Sequence, residues 1–257
     1  QNRGSAGGRV AFISSGVVQV GEIDVGGEWL SNEGTVFVSR NYLNSNIVVD
    51  SGTVTFDTTT GYFSVENGPH GEGVLSTHTY YDSDESRWEY GLCSFTFGQL
   101  RITGSAKVVL KGKRALSIQT VGTGEIYIGV DLRLDGGDAS SVDGYGGRPV
   151  LNPWRGRSSE KLNGFGPGGP LPAGNWGTGA SFNYGDDQLS QLIPGSSGSS
   201  GSYFQGSGAG GGALELKAGG DLTISSGVLL SANGGNGRSD GYQWDHGGGG
   251  SGGAIRL

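Results

Sequence analysis

One pattern recurs three times along the chain: a short β-type run, a break of one or a few small residues, a second short run, then Gly-Gly. The copies run from Val18 to Gly27, from Tyr127 to Gly137 and from Leu222 to Gly235. Two strands of about four residues joined by a single small residue cannot form a hairpin, because reversing the chain takes a turn of two or more residues. The small residue instead marks a corner between successive faces. A unit that cannot bury its own apolar face must stack on its neighbours. The pattern therefore predicts an all-β fold, a parallel β-helix (β-solenoid) with long glycine-rich loop insertions. Ile23, Val25, Ile126, Ile128, Leu132, Leu134, Leu222, Ile224 and Leu229 would point inward. Gly26, Gly27, Gly136, Gly137, Gly234 and Gly235 would take the corners, where positive φ or a tight turn is needed.

A second motif, a glycine cluster followed by an alternating strand, appears at residues 4–13, 206–217 and 247–257. The first and last copies are cut by the chain ends, and there is no Met at all. Both facts lead to the expectation of a mature or excised segment of a longer repetitive protein.

Other strand signals are short and rich in β-branched or aromatic residues. They include Thr35–Val38, Asn46–Asp50, Thr53–Phe56, Phe95–Phe97, Gln99–Ile102, Lys107–Leu110 and Leu116–Ile118. No stretch combines a helical period with caps. The expected organisation has five parts. Residues 1–56 end one repeat, and 57–94 form an irregular insertion with an aromatic and acidic loop. Residues 95–137 are β rungs. A Gly/Ser/Pro-rich loop over 138–207 packs on them, and the rungs resume over 208–257.

Glycine supplies 55 of the 257 residues without a Gly-X-Y period, which excludes collagen. A net charge of −7 with no basic stripe argues against nucleic acid. No apolar run reaches the roughly 20 residues of a membrane-spanning helix. Cys93 is the only cysteine, so neither an internal disulfide nor a cysteine-based zinc site can form. No Asn stands in an Asn-X-Ser/Thr sequon.

Several stretches resemble the glycine-rich β-solenoid repeats of large secreted and cell-surface proteins of bacteria and protists. They are Phe95–Ile102 through Asp135-Gly136-Gly137, then Gly210–Leu216 and Leu222–Gly235, with Ala6–Phe12 and Gly34–Asp50. The resemblance implies a long extracellular structural or adhesive protein with a right-handed coil. It carries no catalytic motif.

Enzymatic β-helices that act on polysaccharides need carboxylates beside a basic residue. Asp131, Arg133 and Asp135 share one strand face, and Asp138 follows. Exposed alternating charge is also what a half-buried strand shows, and that plainer reading is preferred. Asp135, Asp138 and Asp143, and the pair Asp186-Asp187, are candidate calcium ligands, with turn stabilisation as the preferred role. Beyond that candidate cation no cofactor is expected. His70, His78 and His246 show no partner and read as surface residues. Trp154, Trp176 and Trp244 are candidates for stacking on sugars or on a neighbouring protomer, and their default role is to anchor glycine-rich loops.

The functional expectation is a non-enzymatic structural segment. It would build an extracellular fibre, sheath, adhesin or matrix through self-association or through neighbouring repeats of the same polypeptide. The alternative is a carbohydrate-binding module, or a lyase-like scaffold, that uses the loop aromatics.

Overall fold

The computed structural model describes residues 9–14, 35–40, 45–81, 87–139, 151–153, 189, 191–199, 206–238 and 247–257. Within them the regular structure is strand alone, with no helix. The first strands are β1 (Arg9–Ser14), β2 (Thr35–Arg40), β3 (Asn46–Val49), β4 (Thr53–Asp57), β5 (Tyr62–Val65) and β6 (His70–Glu72). Then come β7 (Val74–Tyr81), β8 (Arg87–Phe97), β9 (Gln99–Ile102), β10 (Lys107–Lys111), β11 (Ala115–Thr120) and β12 (Ile126–Ile128). The last are β13 (Leu132–Arg133), β14 (Ala213–Lys217), β15 (Leu222–Ile224), β16 (Leu230–Ser231) and β17 (Ala254–Arg256).

These strands form separate sheets. One is the parallel pair β1-β2, and another is the parallel pair β13-β16. A four-stranded sheet in the order β15-β12-β9-β3 is parallel throughout. The other two are mixed. In β10-β4-β5-β6 the β4-β5 and β5-β6 pairs are antiparallel. In β17-β14-β11-β8-β7 the β7-β8 pair is antiparallel.

This arrangement corrects the expectation of a parallel β-helix, and its right-handed coil goes with it. The all-strand character stands, but the sheets are distinct and two of them contain hairpins. The reason lies in residues 57–94, expected to be an irregular insertion. Asp57 Oδ1 accepts hydrogen bonds from the N–H groups of Thr59 and Thr60, and Gly61 takes φ +77° to close the β4-β5 turn. Asn67, at φ 55°, helps turn β5 back into β6. Once reversed, the chain pairs antiparallel, which a coil of parallel strands does not allow.

Register places like residues over one another in the parallel sheet. Ile47, Leu100, Ile126 and Leu222 form one column, and Val49, Ile102, Ile128 and Ile224 another. Between them Val48, Arg101 and Thr223 face outward, as the period of two requires. On that outer face the Arg101 guanidinium lies 4.0 Å from the centre of the Tyr127 ring. The core holds a cluster of four rings, Phe56, Phe63, Phe95 and Phe97, all fully buried. Phe56 meets Phe95 edge to face at 5.4 Å, and Phe63 meets Phe97 in the same way at 5.1 Å. The β4-β5 hairpin and the long strand β8 thus converge on one apolar centre. Cys93 is buried beside it, and burial pushes its thiol up to about 12.

Candidate functional site

The glycine clusters produce a structure that is neither helix nor strand. Segment 206–212 is buried along its whole length. Its backbone hydrogen-bonds to four other glycine-bearing segments. Gly208 and Gly211 donate to Gly248 and Ser251, while Ala209 and Gly212 donate to Gly137 and Leu134. Gly195 and Gly198 donate to Gly211 and Gly208, and Gly235 and Arg238 donate to Ala209 and Gly206. A β-strand has only two hydrogen-bonded neighbours, because its N–H and C=O groups point to two opposite sides.

The register explains the difference. In each of these ladders both partners advance by three residues from one bond to the next. The same holds between the outer segments. Gly136 and Ala139 donate to Asn233 and Asn236, and Gly247, Gly250 and Gly253 donate to Arg238, Gly235 and Ala232. Gly248 and Ser251 donate to Ser199 and Ser196. A repeat of three is that of the polyproline II conformation, with about three residues per turn, a rise of about 3.1 Å and no internal hydrogen bonds. Its polar groups radiate in three directions, so such segments can bundle in two dimensions. The ladder directions agree among themselves. Segments 134–139, 195–199 and 232–238 run one way, and 206–212 and 247–253 run the other.

At the closest approaches of these backbones only glycine fits. A Cβ on Gly210 would land on the carbonyl oxygen of Gly195, and a Cβ on Gly234 would land on that of Gly250. Asn152, fully buried, locks the centre. Its Nδ2 lies 2.8 Å from Gly195 O, 2.9 Å from Gly211 O and 3.1 Å from Gly210 O.

A row of carboxylates fastens the bundle's edge. Asp131 Oδ1 accepts from the N–H of Leu229 at 2.9 Å, Asp135 Oδ1 from Asn233 at 2.7 Å and Asp138 Oδ1 from Asn236 at 2.6 Å. In all three the partner lies 98 residues further along. The Asn233 side chain and Ser231 Oγ add bonds to Asp135. The Leu229 N–H, with Arg133 adding to it, holds the Asp131 carboxyl below the usual carboxylate range.

Asp131 and Arg133 pair at 3.0 Å on an exposed surface. Asp135 and Asp138 spend oxygens on backbone and side-chain donors rather than converging on a common point. Among the described residues no group of three metal-ligating side chains stands together. Gly136, Gly137, Gly234 and Gly235 lie in the bundle and keep φ outside the left-handed region. Gly52, Gly61, Gly104, Gly112, Gly122 and Gly227 hold that conformation. Ile126, Ile128, Leu132 and Leu134 are buried, Leu222 and Ile224 half-buried, and Leu229 is 43% exposed. Asp143, Asp186, Asp187, His246, Trp154, Trp176, Trp244, Ile23, Val25, Gly26 and Gly27 lie outside the described residues.

Three groupings carried no clear sequence signal. His78 Nε2 lies 2.9 Å from Ser76 Oγ, and its ring stacks on Tyr90 at 5.5 Å. Burial lowers the His78 pKa. A serine–histidine contact becomes a nucleophile only when a third group orients the base and donors await the oxyanion, and neither is present among the described residues. Glu215 joins Ser117 at 2.6 Å and Arg256 at 2.6 Å, making a polar column across β11, β14 and β17. That column borders a shallow cleft of about 320 Å³, also lined by Lys217, Leu222 and Leu257. Among the described side chains that line it Glu215 is the one carboxylate, and Arg256 holds it in an ion pair. The third grouping is the Asn152 lock, whose acceptors lie at least 43 positions away in sequence.

No family model, no curated protein and no solved structure matches this chain.

Proposed function

We propose that this chain is a structural segment of a large secreted or cell-surface protein, and that it contributes to an extracellular fibre, sheath, adhesin or matrix. The observation that carries the reading is the buried 206–212 segment, hydrogen-bonded on four sides by other glycine-rich segments. Forming such a bundle costs much conformational entropy, because glycine loses more freedom than any other residue on ordering. Its return is a close-packed lattice of backbone hydrogen bonds with few and small side chains, which suits load-bearing and close lateral contact. The parallel ladders supply a second set of bonds, and the aspartate row ties ladders and bundle together.

Electron microscopy of the native material from which the chain derives tests the proposal. Regular fibres with an axial repeat are the expected result. Dispersed single particles that bind a glycan saturably would overturn it in favour of a carbohydrate-binding module.

A further inference from the structure

Among the described residues the bundle is open on one side. Segment 247–253 sends its N–H groups in three directions, as a three-residue period demands, while its Gly248 and Ser251 carbonyls accept from segment 206–212. Gly247, Gly250 and Gly253 turn their N–H groups to the 232–238 segment, and Gly248 and Ser251 turn theirs to 196–199. The third face belongs to Gly249 and Gly252. Both are exposed, and among the described residues neither N–H has a partner. They stand one turn apart, roughly 9 Å along the segment. A Cβ at either would meet only open space or an ordinary contact, 3.5 Å from Gly235 O and 3.7 Å from Ala232 O. At Gly247, Gly250 and Gly253 the same added atom would strike backbone.

We infer that this outward face seats a second copy of the chain, bound through its own 247–253 segment. The inference rests on the structural role proposed above and names the surface that assembly uses. Two features of the face select this occupant. Segment 247–253 carries no ionised side chain, so its surface field comes from the partial charges of backbone N–H and C=O. Such a row is complementary to an identical row run the opposite way. The face is also continuous with a bundle whose inner contacts are glycine segments meeting at three-residue register, and the antiparallel sense is already used between 232–238 and 247–253. A two-fold axis between copies sets their 247–253 segments antiparallel and makes the contact isologous.

The test is sedimentation equilibrium of the full chain over a wide concentration range, for the wild type and for a Gly249→Ala/Gly252→Ala double variant. The wild type should self-associate. The double variant should associate at least tenfold more weakly, with unchanged circular dichroism and melting temperature, since both methyl groups have room within one copy. A mixture of Gly249→Cys and Gly252→Cys copies should also cross-link on oxidation, whereas a Gly122→Cys control should not. A wild type that stays monomeric, or a mixture that gives no cross-link, overturns the inference. Undiminished association of the double variant overturns it too. Fibres seen by microscopy in both wild type and double variant would leave the structural role standing and remove this face from it. Saturable binding of an oligosaccharide that is lost in the double variant would identify a glycan as the occupant instead.

Discussion

At the scale of single residues, glycines that look alike in sequence do different work. Gly210 has no room for a methyl group, because that atom would fall on Gly195 O inside the buried segment. Gly227 sits at φ +82° with nothing within 4 Å of an added Cβ. Gly210→Ala should therefore destabilise by about 3 kcal/mol or more through overpacking, and Gly227→Ala by only about 1 kcal/mol through left-handed strain. Thermal denaturation of both variants checks the difference. The carboxylates make a second case. Burial pushes the Asp57 carboxyl up, but the Thr60 and Thr59 N–H groups and Lys111 outweigh it, and the net shift is downward. Asp131 is shifted the same way by the Leu229 N–H and Arg133. A carboxylate with a depressed folded pKa contributes stability that is present above its unfolded value, about 3.9, and is lost as pH falls through the folded value. The melting temperature should stay level from pH 7 to about pH 5 and fall below about pH 4. An Asp57→Asn/Asp131→Asn variant should show a shallower acid limb. The slope of that limb, measured by circular dichroism, decides the point.

At the scale of elements, the β4-β5 hairpin and β8 depend on each other. Phe56 and Phe63 come from the hairpin, Phe95 and Phe97 from β8, and all are fully buried. Phe56→Ala should cost about 3–5 kcal/mol, since it leaves a void that three rigid rings cannot close. Urea denaturation measures the loss. Cys93 reports on the same centre. With its thiol pushed up to about 12 and fully buried, it should resist a disulfide reagent at pH 8 in the native chain and react freely in denaturant. A native labelling rate close to the denatured one would show that β8 is not packed as described. The antiparallel turns of this region could be read locally, since Asp57-Thr58-Thr59-Thr60-Gly61 and Asn67-Gly68 are turn sequences by chemistry.

For the whole molecule, the 98-residue offset is the organising distance. It relates Asp131, Asp135 and Asp138 to the N–H groups they bind, and also Ser117 to Glu215 and Tyr127 to Ser225. One stretch of chain thus lies along another almost a hundred residues later, with outer polar contacts holding the register. An Asp135→Ala/Asp138→Ala variant should cost about 1 kcal/mol per lost latch. In hydrogen exchange the Asn233 and Asn236 amides should lose protection, while Ile126–Ile128 keep theirs. Loss of protection spread evenly over both regions would show that the row is not a local fastening.

The strand content, the alternation that buries Leu100, Ile102, Ile126 and Ile128, and the special standing of the glycine clusters were all legible in the sequence. Side-chain period and glycine's missing Cβ are local properties, and they need no knowledge of neighbours. The grouping of strands into distinct mixed sheets was not legible, because parallel and antiparallel partners present the same alternation to a reader of one strand. Nor was the glycine bundle. A run such as Gly206–Gly212 carries no side-chain pattern, and its conformation follows from four neighbouring backbones brought in from distant positions. The carboxylate candidates divide along the same line. That Asp135 and Asp138 would hold backbone or cation follows from their chemistry, but which of the two depends on the N–H groups that folding sets 98 residues away in the chain and within 3 Å in space.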